Sequence, residues 1–160
     1  MIDNNIFSTS VLHDFPDARA IIKGSGKYPD MKGIANFYTA RWGLGIIIEV
    51  EVFGLPNTKE YSPRFVGMHI HENGNCSDNF ANTGMHYNPT GAVHPYHLGD
   101  LPPLLNSNGY AFTSFFDSFL TIEDIVGKSI IIHEKWDDFK TQPSGDSGEK
   151  IGCGVIRSMK

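Results

Sequence analysis

The amino-acid sequence predicts an all-β domain, an antiparallel sandwich or barrel, on three observations. Short runs of alternating apolar and polar residues recur along the chain, clusters of turn residues separate them, and no segment carries a convincing amphipathic-helix period. The 17 glycines and nine prolines follow no repeat, and they supply the turns that many short strands need.

The elements follow in chain order. Residues 1 to 17 show no clear period and read as an N-terminal arm; His13 within it receives no role. Ala18 to Lys23 is a short apolar run closed by Gly24-Ser25-Gly26, and Lys32 to Ala40 is a second, carrying Ile34, Phe37 and Tyr38. Gly45 to Phe53 is the cleanest strand, because Ile46, Ile48, Val50 and Val52 alternate with Ile47, Glu49 and Glu51 until Gly54-Leu55-Pro56-Asn57 ends it. Arg64 to His71, Tyr110 to Asp117 and Ser129 to His133 alternate again, and Gly152 to Ser158 closes the chain. A weaker edge strand spans Asp100 to Asn106, demoted by Pro102 and Pro103. Thr121 to Ile125 makes at most one helical turn. The total is about eight short strands, with two long irregular segments, Glu72 to Gly99 and Glu134 to Gly148, that carry or flank most of the histidines.

Composition excludes several function classes. A chain of 160 residues with 40% apolar content makes one domain, residues 1–160, with a packed core. A net charge of -5 argues against nucleic acid as a partner, which calls for a basic face, and no apolar run approaches the roughly 18–20 residues that span a membrane. Met1 to Asn5 lacks the basic and apolar regions of a signal peptide, so a cytoplasmic location is expected, the alternative being export with the signal already removed. Cys76 and Cys153 are too few for a disulfide-built scaffold.

Histidine is the unusual component: six of the seven fall between positions 69 and 133. Period-2 geometry puts His69 and His71 on one strand face with Ile70 on the other, presenting two imidazoles side by side. Two other metal folds built on such a pair do not fit. A metallo-β-lactamase-type site needs an acidic residue and a third histidine where Asn73 and Gly74 stand, and a cupin needs a glutamate where Asn75 stands. A denser cluster follows, with His86, His94, His97 and Asp100 in 15 residues, able to close the tetrahedral N3O shell that zinc prefers. His133 ends the apolar run Ile130-Ile131-Ile132, at a strand end where a site can form. Phe112, Phe115, Phe116 and Phe119 read as core or interface, and Glu49 and Glu51 as the solvated face of a strand.

Six motifs stand in one order: Gly67-Met68-His69-Ile70-His71-Glu72, Cys76, Gly84 to Pro89, His97-Leu98-Gly99-Asp100-Leu101-Pro102, His133-Glu134-Lys135 and Cys153-Gly154-Val155-Ile156. In this the sequence resembles the copper/zinc superoxide dismutases over about Ala18 to Ile156, and the bacterial branch especially around His97 to Pro102. The resemblance implies an eight-stranded Greek-key barrel of immunoglobulin-like type, and dismutation of superoxide anion to dioxygen and hydrogen peroxide with one copper and one zinc ion per chain. It implies copper on His69, His71, His86 and His133, and zinc on His86, His94, His97 and Asp100, His86 bridging the two. It further implies that Asp137 links a copper ligand to a zinc ligand, that Cys76 and Cys153 form a disulfide, and that a homodimer is open to the chain.

Two departures stand out. Only Pro95 and Tyr96 separate His94 from His97, where the family has about eight residues, which puts the usual packing of that loop in doubt. Three residues before Cys153 the family has an arginine that guides the anion; this chain has Lys150, which keeps the charge without the fork of donors, and Lys150 joins His86 in an expected catalytic role. The segment from Asp137 to Gly148 is also brief for a charge-steering loop. The competing reading is a non-catalytic zinc- or copper-binding protein on the same scaffold, against which all four copper-site histidines are present.

Overall fold

Alternation builds the sheets as the sequence leads one to expect. The computed structural model describes residues 15–160; residues 1–14, most of the expected arm together with His13, lie outside the described residues. Among those described, nine strands form: β1 Ala18–Gly24, β2 Lys32–Thr39, β3 Ile46–Phe53, β4 Phe65–Val66, β5 Met68–His71, β6 Leu104–Leu105, β7 Tyr110–Asp117, β8 Ser129–His133 and β9 Lys150–Ser158. Seven form one curled antiparallel sheet in the order β5-β8-β9-β1-β2-β3-β7, and β4 pairs with β6 in a second sheet. This non-sequential order, with one small sheet facing a long curled one, is the architecture of the expected Greek-key barrel.

The expected strand Arg64 to His71 divides in two at Gly67. The Gly67 N–H donates to the Lys135 carbonyl at 2.7 Å and its carbonyl accepts from the His133 N–H at 2.8 Å, so the backbone leaves one sheet there and enters the other. The expected edge strand from Asp100 to Asn106 shrinks to Leu104–Leu105, because Pro102 and Pro103 have no N–H to give a ladder. Thr121 caps its single helical turn, accepting from the Asp124 N–H while the Asp124 carboxylate accepts from the Thr121 N–H.

The core fills from the inward positions: Ile22, Phe37, Ile48, Met68, Ile70 and Ile130 are fully buried within one cluster. In β3, Ile47 is buried as well, against the expected outward set; it sits on the outer face between its cross-strand partners Tyr38 and Phe116. Glu49 and Glu51 are half-buried rather than fully solvated, since Glu49 accepts from Asn36 Nδ2 and Glu51 from the Tyr110 hydroxyl. Phe115 packs against the core while Phe112, Phe116 and Phe119 are exposed.

Strand β5 is buried on both faces. Met68 and Ile70 enter the core, and His69 and His71 lie beneath the two long segments, residues 72–103 and 134–149. A disulfide between Cys76 and Cys153, Cα atoms 5.8 Å apart, ties the first of these segments to β9. Phe80 and Ile131 pack beside it as a second, small apolar cluster. Reduction of this bond, or Cys76→Ser, should lower the unfolding free energy of the metal-free protein by about 4–5 kcal/mol, the loop-entropy value for a separation of 77 residues. A urea midpoint insensitive to reductant would contradict that value.

Candidate metal centre

Strands β5 and β8 carry the first half of the site. His69 pairs with Ile131 and His71 with Ser129 across the ladder, and His133 ends β8 opposite Lys150 of β9. These rings meet the loop residue His86, whose backbone bridges to His71. The ring of His69 stacks on that of His86 with centroids 3.8 Å apart, and the Nε2 atoms of His71 and His133 face each other at 3.3 Å. One ligand atom from each of His69, His71, His86 and His133 falls within 4.8 Å of the others, and the same holds for His86, His94, His97 and Asp100. His86 belongs to both sets.

The second set gathers around one carboxylate. Asp100 Oδ1 lies 2.7 Å from His86 Nδ1, and Oδ2 lies 3.1 Å from His94 Nδ1 and 3.3 Å from His97 Nδ1. The His97 N–H also donates to Oδ2, at 3.0 Å, which fixes the carboxylate from its own turn. The short connection of Pro95 and Tyr96 thus brings both histidines to the same carboxylate. A brace outside the ligands holds it: Gln142 Oε1 accepts from the His94 N–H at 3.0 Å, and Gln142 Nε2 donates to the His94 carbonyl at 2.7 Å. The side-chain amide grips the His94 backbone as a neighbouring strand would. Sequence reasoning passed over Gln142, because an amide in a polar loop carries no local signal.

In four of the rings the other nitrogen has an acceptor, and this decides which nitrogen keeps its lone pair. His69 Nε2–H donates to Asp137 Oδ2 at 2.7 Å, and His94 Nε2–H to Asp137 Oδ1 at 2.9 Å. His71 Nδ1–H donates to the Gly84 carbonyl at 2.9 Å, and His133 Nδ1–H to the Gly148 carbonyl at 3.3 Å. The nitrogens left over are His69 Nδ1, His86 Nε2, His94 Nδ1 and His97 Nδ1, all buried and without a hydrogen-bond partner, with His71 Nε2 and His133 Nε2 turned to the same space. Buried polar atoms are rarely left unpaired. Orphaned imidazole nitrogens converging in two groups, one all-nitrogen and one N3O, fit the donor preferences of copper and zinc.

Electrostatics favour the ligand forms. Burial pushes His69 down to about 4 and His71 down to about 2, and holds His133 well below the usual imidazole range, so all three rings are neutral at neutral pH. Burial alone would raise Asp137, but hydrogen bonds from His69, the Phe139 N–H and His94 outweigh it and hold the carboxyl well below the usual range. Asp137 is 1% exposed and its neighbour Gly145 has φ +69°; a Cβ there would overlap the Asp137 carboxylate and His94 Nε2, so only glycine leaves room for this bridge.

Lys150 is half-buried beside the first set. Its ammonium donates to Thr83 Oγ1 at 2.8 Å and to the Gly84 carbonyl at 2.9 Å, the same oxygen that accepts from His71. Burial lowers its pKa from the usual lysine value. Lys135, two residues beyond His133, forms an exposed ion pair with Asp146 at 3.8 Å.

Comparison with known proteins agrees with this geometry. Residues 31–156 match the family model described as copper/zinc superoxide dismutase (SODC). A copper–zinc superoxide dismutase of Paramecium bursaria Chlorella virus 1 is 34% identical over 71% of this chain and 66% of its own length. The human copper chaperone for superoxide dismutase is 27% identical over 88% of this chain and 62% of its own length. The chain therefore spans less than two thirds of the length of these two relatives. A copper–zinc superoxide dismutase of Aquifex aeolicus is 31% identical over 71% of this chain and 72% of its own.

Two outcomes follow. Gln142→Ala should reduce bound zinc per chain at limiting zinc, by about tenfold in affinity if the brace acts as ligand-supporting hydrogen bonds generally do, with copper content little changed. Metal analysis after competition with a chelator checks this, and equal zinc retention would remove the brace from the site. In the metal-free protein the depressed histidines bind protons only after unfolding, so stability should fall as pH drops from 6.5 towards about 4. The loss at pH 5 should be about 2 kcal/mol from His69 alone. Equal urea midpoints at pH 7 and pH 5 would show that the folded protein accepts those protons.

Proposed function

The chain belongs to the copper/zinc superoxide dismutase family, and from that premise we propose that it dismutes superoxide to dioxygen and hydrogen peroxide, with His69, His71, His86 and His133 holding copper and His86, His94, His97 and Asp100 holding zinc. The observation that carries the reading is His86, whose Nδ1 faces Asp100 while its unpartnered Nε2 faces the three histidines of β5 and β8. Copper in the first set would supply a one-electron redox couple and zinc in the second a fixed positive charge that tunes the shared ring.

The chain's own residues do the rest. His69, His71 and His133 are kept neutral by burial and present lone pairs at fixed atoms. Asp137 orients His69 and His94 together, so the two ligand sets hold one mutual geometry. His86 Nε2 is the atom that can take up and give back one of the two protons that reduction of superoxide to hydrogen peroxide consumes, the other coming from solvent, while Nδ1, engaged on the Asp100 side, keeps the ring in place. The substrate is an anion and the chain's net charge is -5, so its distant field opposes approach. Lys150, one carbonyl oxygen away from His71, supplies local positive charge of the kind that focuses an anion on a site.

A second reading, a non-catalytic zinc- or copper-binding protein of this family, draws support from the likeness to the human copper chaperone. Retention of all four histidines of the first set favours the enzyme. Protein loaded with copper and zinc should remove superoxide catalytically, and zinc-only protein should not; both metals bound without activity would leave the carrier. Lys150→Glu should lower the rate by about tenfold or more at low ionic strength with metal content unchanged, since focused fields change on-rates by roughly 10–10³. Lys150→Arg should hold or raise it, and a glutamate variant as fast as the parent would take Lys150 out of the mechanism.

A further inference from the structure

A surface cavity away from the histidines stands out among the described residues. A groove of about 620 Å³ runs along the outer face of β1 and β9, with the disulfide at one end. Three cations line it, Arg19 and Lys23 from β1 and Arg157 from β9. The register sets Arg19 directly opposite Arg157 and Lys23 directly opposite Cys153. Like charges opposed across a ladder are destabilising, and among the described residues none of the three has an acidic side chain within ion-pair distance; the ion pairs formed by basic side chains elsewhere use Lys27, Lys135 and Lys160. Arg19 uses only its Nε, donating to Asn36 at 2.8 Å. Asp17, near the arginine end, is already engaged by Lys160 and the Thr39 N–H. In a chain of net charge -5 this is a concentrated positive strip without an ion-pair partner among the described residues.

The strip ends on a reactive bond. Cys76 and Cys153 both line the groove, Cys76 half-buried and Cys153 buried. Four residues of strand separate the Cys153–Lys23 pair from the Arg157–Arg19 pair, about 13 Å, of which an extended tripeptide covers about 10 Å and the long arginine side chains the remainder. Ile21 and Val155 lie between the two pairs as an apolar floor.

We propose that this groove binds a small acidic thiol, a peptide-sized molecule with carboxylates for the arginine end and a thiolate for the disulfide end, and that its thiolate exchanges with the disulfide. The sulfur of the incoming thiolate bonds to Cys76 Sγ, the Cys76–Cys153 bond breaks, and its electron pair leaves on Cys153 Sγ, which takes the proton given up by the incoming thiol. Lys23, across the ladder from Cys153, favours the departing thiolate by its charge. The exchange removes the covalent tie between β9 and residues 72–103, the segment that carries His86, and leaves the Lys150 hydrogen bonds to Thr83 and Gly84 in place.

The test compares glutathione (anionic), 2-mercaptoethanol (neutral) and cysteamine (cationic) as reagents for the protein as isolated. Mixed disulfide on Cys76 is followed by mass spectrometry, and rates are normalised to thiolate concentration. Glutathione should outrun cysteamine by about tenfold at low salt, the low end of what field focusing gives, and the ranking should collapse near ~0.5 M salt. S-methylglutathione, which cannot exchange, should slow the glutathione reaction. Arg157→Gln combined with Lys23→Gln should abolish both the preference and that inhibition; if this variant misfolds, salt dependence and competition in the parent protein decide. Equal normalised rates for the three thiols, no competition by the methylated analogue, or no adduct with any thiol would overturn the proposal.

Discussion

The carboxylate of Asp137 is the contact on which the rest of the centre depends. One oxygen accepts a hydrogen bond from His69 of β5, and the other accepts one from His94 of the loop, so a single buried group sets two tautomers. The bridge spans the junction between sheet and loop. It couples the angle of the His69 ring on a rigid strand directly to that of the His94 ring on an irregular segment. Its own placement requires a left-handed glycine at 145 and the Phe139 N–H, which donates to Oδ1 at 2.7 Å. A brief loop can meet these demands because each is met by a residue within eight positions of Asp137.

The fold serves this junction by dividing the labour between strands and loops. Strands β5, β8 and β9 hold three ring positions by ladder register, where a one-residue slip would send His69 and His71 into the core and Met68 and Ile70 out of it. The loop ligands have no ladder, and three fasteners replace it: the disulfide, the Gln142 brace and the knot in which Gly99, Tyr87 and Ile70 exchange backbone hydrogen bonds. The shortened connection between His94 and His97 leaves the Asp100 carboxylate in reach because Gln142 restrains the backbone from outside.

What could be read from the sequence, and what could not, follows from the range of the forces involved. Period-2 alternation is local, so β1, β2, β3, β7 and β8 stand within a residue or two of their expected places. The division at Gly67 was not legible, because the hydrogen bonds that bend the chain there come from Lys135 and His133, about seventy residues away. Ile47 was assigned outward by alternation and is buried, since its cover comes from neighbouring strands. At the site, the six histidines and Asp100 announce themselves by residue type and order, and Asp137 only through the family resemblance. Gln142, Gly145 and the carbonyls of Gly84 and Gly148 act through backbone or common polar groups, and a sequence gives such atoms no distinguishing mark.

The register that opposes Arg19 to Arg157 also bears on self-association. A two-fold symmetric pair uses the same patch on both copies. Two chains meeting through their β1–β9 faces would bring six cations into one contact, Arg19, Lys23 and Arg157 from each, with no carboxylate among the groove-lining residues to offset them. Among the described residues that face is therefore self-repelling, and its charge pattern disfavours isologous pairing through it.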